Sequence, residues 1–458
     1  MKIIVCGAGQ VGMNIARQLT MENHDVTIVD QVPDLVRRVS DTLDAQAVVG
    51  HASNPDVLEK AGIADADMLI AVTLTDEINM VACQVAHSLF DVPTKIARIR
   101  QQAYLEPMWA PLFSRDHLPI DVIISPEREV ARAVARRLQI PGAIDMITLA
   151  DGAVTLLAVR CNGDCPLVNT PLRQLTQLFP DLNIVIVGLV RDGSALVPKA
   201  DDQMLPGDEA YFVVDTGQIS RAMTTFGYEE REARRLLIIG GGNIGLVLAQ
   251  ELEREYPWVK AKIIESRKER AEEISGQLES TVVLNGDARD LEILEEANIR
   301  GTDTVVAVTN DDESNILASL LAKKFGCDRT VTLVNTSIYE QLIGSLGIDV
   351  VVSPRNITVS SILQHVRRGR IHSVHAVRED LGELIEAEAL ETSELVGKPI
   401  KDINLPAGVV LGAIVRDGGM LYPRGSTEIH AGDRIILFSS PEAIQKVESL
   451  FAVQLEYF

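Results

Sequence analysis

The chain repeats itself, and that repetition limits what it can fold into more than any other feature. Lys2-Ile-Ile-Val-Cys-Gly-Ala-Gly-Gln-Val-Gly12 recurs as Arg235-Leu-Leu-Ile-Ile-Gly-Gly-Gly-Asn-Ile-Gly245, at an offset of 233 residues. Gly50-His-Ala-Ser-Asn-Pro-Asp-Val-Leu-Glu-Lys-Ala61 recurs as Gly286-Asp-Ala-Arg-Asp-Leu-Glu-Ile-Leu-Glu-Glu-Ala297. Asp67–Thr73 recurs at Asp303–Thr309, and Asp121-Val-Ile-Ile-Ser-Pro126 at Asp349-Val-Val-Val-Ser-Pro354. A second kind of segment follows in both copies: Leu167–Leu172 matches Leu395–Ile400, and Val190-Arg-Asp-Gly193 matches Val415-Arg-Asp-Gly418. Pro206-Gly-Asp208 then stands opposite Ala431-Gly-Asp433. Matches kept in one order mean tandem duplication. The expected lobes are 1–140, 141–227, 233–370 and 371–458, with the charged stretch from Tyr228 to Arg235 joining the copies.

Each larger lobe alternates strand and helix signals. In the first copy, strands are expected at 2–6, 25–30, 46–49, 68–73, 95–99 and 121–124, with helices at 11–21, 33–43, 55–61 and 77–89. That alternation predicts a doubly wound parallel sheet. Aromatic residues are only 4% of the chain, so the core must be aliphatic, as buried parallel strands require. Another helix is expected after Pro126, with Val130, Val134 and Leu138 as its apolar stripe. Its counterpart after Pro354 carries Val359, Ile362, Leu363 and Val366. The smaller lobes, with short strands and Asp-Gly turns, read as α+β. The fold class is thus α/β: two Rossmann-like lobes, each followed by a small α+β lobe.

Gly7-Ala8-Gly9-Gln10-Val11-Gly12 follows a strand and opens a helix. The first glycine permits the tight turn, the second lets the backbone approach a pyrophosphate, and the third packs helix on sheet. The helix N-terminus presents unpaired N–H groups to phosphate. The second strand ends in Asp30, where a carboxylate binds the ribose 2′-hydroxyl and disfavours a 2′-phosphate, so NAD is expected over NADP. The second copy has Gly240-Gly241-Gly242-Asn243-Ile244-Gly245, with Glu265 as its acid. Ligands of open α/β sheets sit at the carboxyl ends of the strands, so Thr73, Leu74, Thr309 and Asn310 are candidate contacts. His51 and Asp287, at the end of the third strand, are candidates on the adenosine side. Arg98, on the fifth strand, is expected to reach phosphate; the second copy has no arginine there, and a different or weaker grip follows. The acids after Thr73 and Thr309, beginning at Asp76 and Asp311, are read as complementing helix dipoles.

Charge and composition exclude several classes. The formal net charge is −22, from 43 basic and 65 acidic residues spread over both copies. Such a surface repels nucleic-acid phosphate and anionic lipid. The longest charge-free stretch, Leu236–Gln250, is too short and too glycine-rich to span a bilayer. Five scattered cysteines fit a reducing cytosol without structural disulfides. None of the eight histidines sits in a catalytic constellation, and no Walker lysine follows the glycines. No metal site is expected: His372 and His375 would face opposite sides of a strand, and Cys161-Asn-Gly-Asp-Cys165 lacks partners at zinc spacing. Nucleotide binding is written twice and chemistry nowhere, which suits a sensor better than the alternative, an NAD-dependent oxidoreductase.

The residues Cys6–Gly12, Asp65–Thr73, Asp76–Ala86, Ile96–Arg100 and Ala307–Glu313, with the order of four lobes, resemble the TrkA family across essentially the whole chain. These are cytosolic regulatory subunits of bacterial Trk potassium uptake systems, built from RCK (KTN) domains. The resemblance implies NAD or NADH binding, with ATP/ADP as further nucleotides. It implies a homo-oligomeric ring, with a tetramer as the economical route to eight modules. The ring would lie at the inner face of the cell membrane under a membrane-embedded Trk channel subunit, touching the membrane only through that partner. Carried over by position, the nucleotide residues are Gly7–Val11, Asp30, Thr73, Leu74 and Arg98, then Gly240–Ile244, Glu265, Thr309 and Asn310. A regulator of a potassium efflux system shares these features and stands as a second alternative.

Overall fold

Runs of buried aliphatic residues become the strands of four sheets in the computed structural model. It describes residues 1–140, 142–179, 183–228, 233–336, 338–339, 343, 346–366, 371–378, 381–393 and 395–451. The first copy opens with β1 (Lys2–Cys6), α1 (Gln10–Met21), β2 (Asp25–Asp30), α2 (Pro33–Thr42), β3 (Gln46–Val49) and α3 (Pro55–Lys60). Next come β4 (Met68–Ala71), α4 (Asp76–Phe90), β5 (Thr94–Arg98), β6 (Val122–Ile124) and α5 (Pro126–Leu138). The sheet is all parallel in the order β3-β2-β1-β4-β5-β6. Ile3, Ile4, Val5 and Cys6 are wholly buried, as a central strand covered on both faces demands. The expected elements match within a residue or two. The clearest difference is β4, which ends at Ala71 rather than Thr73, because Thr73 N–H donates to the Asn79 side chain instead of the ladder.

The small lobe that follows contains β7 (Ala143–Leu149), β8 (Val154–Arg160), α6 (Leu172–Leu178), β9 (Ile184–Arg191), β10 (Ser194–Leu196), β11 (Glu209–Asp215) and α7 (Ile219–Thr225). The second copy repeats the pattern. Its large lobe has β12 (Arg235–Ile239), α8 (Asn243–Glu255), β13 (Lys260–Glu265), α9 (Lys268–Ser275), β14 (Val282–Asn285), α10 (Leu291–Glu296), β15 (Thr304–Ala307), α11 (Asp312–Lys324), β16 (Arg329–Leu333) and β17 (Val350–Val352). After α12 (Pro354–Val366) come β18 (Ile371–Arg378), β19 (Gly382–Glu388), β20 (Val409–Arg416), β21 (Gly419–Leu421), β22 (Arg434–Ser439) and α13 (Ile444–Phe451). The second parallel sheet runs β14-β13-β12-β15-β16-β17, and the two antiparallel sheets share one topology, β10-β9-β11-β8-β7 and β21-β20-β22-β19-β18. Of the joint between copies, residues 229–232 lie outside the described set.

The second kind of repeated segment is structural. Asp192-Gly193 and Asp417-Gly418 take positive φ at both residues, the tight hairpin turn that such dipeptides favour. Arg191 then grips buried Asp208 with two bonds, 2.9 and 2.7 Å, and Arg416 grips Asp433 at 2.8 and 2.7 Å. Repeated Arg-Asp-Gly and Gly-Asp motifs are therefore two halves of one clamp.

Two compact units partition the chain: residues 1–130 with 353–366, and residues 131–352 with 367–458. In the first, α12 lays its apolar stripe, Val359, Ile362, Leu363 and Val366, into the core of the first parallel sheet with Ile15 and Leu19 of α1. In the second, the two antiparallel sheets pack face to face through Leu156, Val187, Val213, Leu384, Ala413 and Phe438. Gly412 permits their close approach, since a Cβ there would sit 3.0 Å from Val213. Also in the second unit, buried Arg329 donates to the carbonyls of Arg137 (3.1 Å), Ile140 (3.4 Å) and Ala143 (2.6 Å), at the end of α5. A cation suits a helix C-terminus. Arg329→Met is expected to lose about 2 kcal/mol, because buried acceptors lose a charged donor while one buried charge is relieved. Urea unfolding measures this; an unchanged midpoint would refute it.

Candidate functional site

The sheet order places β1 and β4 side by side with their connections leaving to opposite faces, which opens a crevice at their carboxyl ends. Gly7 extends the β1 ladder, its N–H donating to Val29 O at 2.8 Å, then turns at φ +110°. A Cβ on Gly12 would lie 1.8 Å from Gly7 O, so the start of α1 sits hard against the turn. Gly9 differs: a Cβ there would meet nothing within 4 Å. Gly9 is also the N-cap of α1 and lends no side chain to its first N–H groups. That bare helix start is the feature a phosphate uses.

Asp30, at the end of β2, accepts from Ala8 N–H at 2.6 Å and Val32 N–H at 2.9 Å. It pins the loop and leaves its remaining acceptor capacity at the carboxyl edge. On the other side of β1, Gly7 abuts Val72 and Thr73. Arg98 reaches Thr73 O with Nη2 at 2.7 Å. Burial, then the neighbouring Arg100, lowers the Arg98 pKa. Its Nε is buried and has no hydrogen-bond partner among the described residues. A buried unsatisfied donor calls for an acceptor, and an anion in the crevice would serve. His51 follows Gly50, whose N–H bonds Asp30 O, and its Nδ1 meets Ser53 Oγ at 2.7 Å. Leu74 is 84% exposed, apolar surface that no internal contact accounts for. Cys6 is no nucleophile: burial, and next Asp30, pushes its thiol up to about 12.

The second copy keeps the backbone and changes the chemistry. Gly240 turns at φ +105°, and a Cβ on Gly245 would lie 2.0 Å from Gly240 O. Gly242 caps α8 without a side-chain bond. Glu265 is buried; it accepts from Gly241 N–H at 2.9 Å and from Arg267 N–H at 2.9 Å. Arg270 donates to Gly241 O at 2.9 Å, a contact for which the first copy prepares no cation. Leu333 stands where the first sheet has Arg98. Asn310 is exposed, and Asp287 pairs with Arg289, which holds its carboxyl down at about 2.

The fold thus brings the glycine loop, Asp30, Thr73 and Arg98 to one edge, and the second loop, Glu265 and Thr309 to another. Sequence reasoning missed the residues that lock these edges. Asn79, wholly buried, accepts from Thr73 N–H (2.9 Å) and Oγ1 (2.7 Å) and donates to Arg98 O at 2.9 Å. Asn315 does the same for Thr309 and Leu333 O. Asp76 and Asp312 are more than dipole complements: both are buried, accepting from the N–H groups of Arg100 and Gln101, and of Asn335 and Thr336. The signal was available: Asp-Glu-Ile-Asn79 and Asp-Glu-Ser-Asn315 both put an amide on a buried helix face. Among the described residues no group of three or more His, Cys, Asp or Glu could hold a metal, and the His372 side chain lies outside that set. No described helix is long and apolar enough to cross a membrane.

The chain is similar to known proteins in family and in fold. The TrkA-N domain model matches residues 3–126 and 236–354, and the TrkA-C domain model matches 384–452. A Trk system potassium uptake protein TrkA of Azorhizobium caulinodans is 53% identical over 458 residues, covering 100% of both chains. A protein of the same description from Halomonas elongata is 42% identical over 462 residues, again covering 100% of both. Among solved structures, the GsuK RCK domain has a TM-score of 0.60 at 21% identity, covering 99% of this chain and 95% of that one. The GsuK channel bound to NAD gives 0.59 at 20% identity, covering 99% and 79%. These two likenesses concern the fold.

Proposed function

The chain belongs to the TrkA family of Trk system potassium uptake proteins, and from that premise we propose that it is a nucleotide-sensing regulatory subunit without enzymatic turnover. Its large lobes bind NAD(H), with ATP and ADP as competing nucleotides. It works at the cytoplasmic face of the membrane, as a ring of two-module chains docked on a membrane-embedded potassium channel subunit. A tetramer would supply eight modules. The observation that carries this reading is the bare helix start at Gly9, bracketed by Asp30 and by the unsatisfied Arg98 Nε. Asp30 selects a free ribose 2′-hydroxyl, and Arg98 faces phosphate. In the second copy Glu265 is buried and is also paired with the Arg267 side chain, Nε to Oε1 at 3.3 Å, so its site is expected to bind differently.

Nucleotide regulates by binding one ring state more tightly than another; equal affinity would shift nothing. The four-lobe division at 1–140, 141–227, 233–370 and 371–458 belongs to this reading, with α5 and α12 carrying the change between lobes. Calorimetric titration with NAD, NADH, ATP and ADP tests it, and heat from two unequal sites per chain is expected. Asp30→Ala should weaken NAD(H) at the first site by about tenfold or more, the worth of one charge-assisted bond. Unchanged affinity and unchanged potassium uptake would remove Asp30 from the site. Steady consumption of NADH with a carbonyl substrate would replace the sensor with an oxidoreductase.

A further inference from the structure

The acid that ends the second strand of each large lobe meets a different neighbour in the two copies. Asp30 and Glu265 both accept from the second residue of their glycine loop, Ala8 and Gly241. Both also accept from the N–H two residues further on, at the N-cap of the next helix. In the first copy that N-cap is Val32, whose side chain has no donor; in the second it is Arg267. Arg267 donates with Nε to Glu265 Oε1 at 3.3 Å, and its side chain is 69% exposed. Among the described residues its Nη nitrogens meet no carboxylate.

The longer acid is also tucked away. Asp30 is half-buried, whereas Glu265 is buried. A Cβ on Gly241 would lie 3.1 Å from Glu265 Oε2, and the first copy has Ala8 at that place in its loop. The glycine therefore makes room for a glutamate that folds beneath the loop. With one oxygen on Gly241 N–H and the other on Arg267, its charge is satisfied within the fold. Arg270, the third residue of α9, ties the same loop through Gly241 O at 2.9 Å. Asn285 Nδ2 donates to the carbonyls of Glu265 and Ser266 at 2.9 and 3.2 Å. The turn that carries Arg267 is thus fixed from both sides.

At this edge of a Rossmann lobe a carboxylate accepts from a ribose 2′-hydroxyl and disfavours a 2′-phosphate, whereas an arginine accommodates that phosphate. We propose, resting on the reading of both glycine loops as nucleotide sites, that the second loop takes a nucleotide bearing a 2′-phosphate, of the NADP(H) class, and binds it more tightly than NAD(H), while the first loop keeps NAD(H). Arg267 is the specificity residue: its planar fork offers a phosphate two parallel N–H bonds, which Val32 cannot do. The second copy has Leu333 in place of Arg98, so its cation stands at the ribose end of the crevice instead of on the fifth strand.

The test is calorimetry of the full-length protein with NAD+, NADP+, 2′,5′-ADP and 3′,5′-ADP, the last two differing only in the place of one phosphate. NADP+ should bind at one site per chain, and that site should survive Asp30→Ala and Gly9→Ala. Displacement of NADP+ by 2′,5′-ADP should be at least about tenfold stronger than by 3′,5′-ADP. Arg267→Val, which installs the first copy's residue, should weaken NADP+ by about tenfold or more with the melting temperature kept. Four results would each overturn the proposal while NAD(H) still bound: no uptake of NADP+, loss of NADP+ in Asp30→Ala, equal displacement by the two bisphosphates, or full NADP+ affinity in Arg267→Val. Failure of every nucleotide to bind would instead remove the reading of the loops as nucleotide sites, and the proposal with it.

Discussion

Gly12→Ala is expected to unfold or severely loosen the first large lobe, whereas Gly9→Ala, three residues away, should leave it standing and lose the nucleotide. The reason is what each added methyl would meet. At Gly12 it falls 1.8 Å from Gly7 O, which is backbone and cannot rotate aside. Gly7 itself is held by its bond to Val29 O and by a φ of +110°. Relieving the clash means moving α1 off the sheet, at a cost of about 3 kcal/mol or more. At Gly9 the methyl meets nothing within 4 Å, and φ is −68°, which any residue adopts. Stability should change by about 1 kcal/mol or less, the range of N-cap substitutions. The methyl would instead occupy the place where pyrophosphate approaches the helix start, and affinity should fall by at least about tenfold. Thermal unfolding and calorimetry together separate the two effects. Wild-type affinity in Gly9→Ala would refute the phosphate assignment; a normal melting temperature in Gly12→Ala would refute the packing account.

Asn79→Ala should cost about 3 kcal/mol and also weaken nucleotide binding, although Asn79 is wholly buried and is placed in no contact with ligand. Its amide carries the bonds from Thr73 N–H and Oγ1 and the bond to Arg98 O. Alanine would leave Thr73 N–H and Arg98 O buried without partners, and would free the loop that Arg98 Nη2 also grips. Asn79→Asp separates the parts. It keeps the acceptor for Thr73 and loses the donor to Arg98 O, so it should lie between alanine and wild type in stability. Asn315→Ala is the matching test in the second copy, where Thr309 and Leu333 lose their partners. Full nucleotide affinity in Asn79→Ala, at a temperature where the protein is folded, would show that the edge of β4 does not need this lock.

Much of this was legible from residue order. Apolar runs such as Ile3–Cys6 can only be central strands, and the glycine spacing can only turn a strand into a helix, because both are local demands of backbone and burial. Asp30 and Glu265 were readable as strand ends for the same reason: each closes a strand whose neighbour runs into a glycine loop. The locking roles of Asn79, Asp76, Asn315 and Asp312 were not. Their partners lie at the ends of β5 and β16 or in the residues just after them, and a helix pattern does not reveal which distant N–H or carbonyl a polar side chain will meet.

The duplication, the two parallel sheets, the small α+β lobes and both glycine loops were determined by the sequence alone, since each follows from periodicity and turn chemistry within a short window. The tertiary structure alone decided what covers what. The stripe Val359, Ile362, Leu363 and Val366 says that α12 buries a face; only the fold shows that face in the core of the first copy's sheet, beside Ile15 and Leu19. Likewise Cys161 and Met204 become neighbours only when β8 and the turn before β11 close on each other. Hydrophobic burial is proportional to area and indifferent to direction, so an apolar stripe specifies that it must be buried but not against which partner.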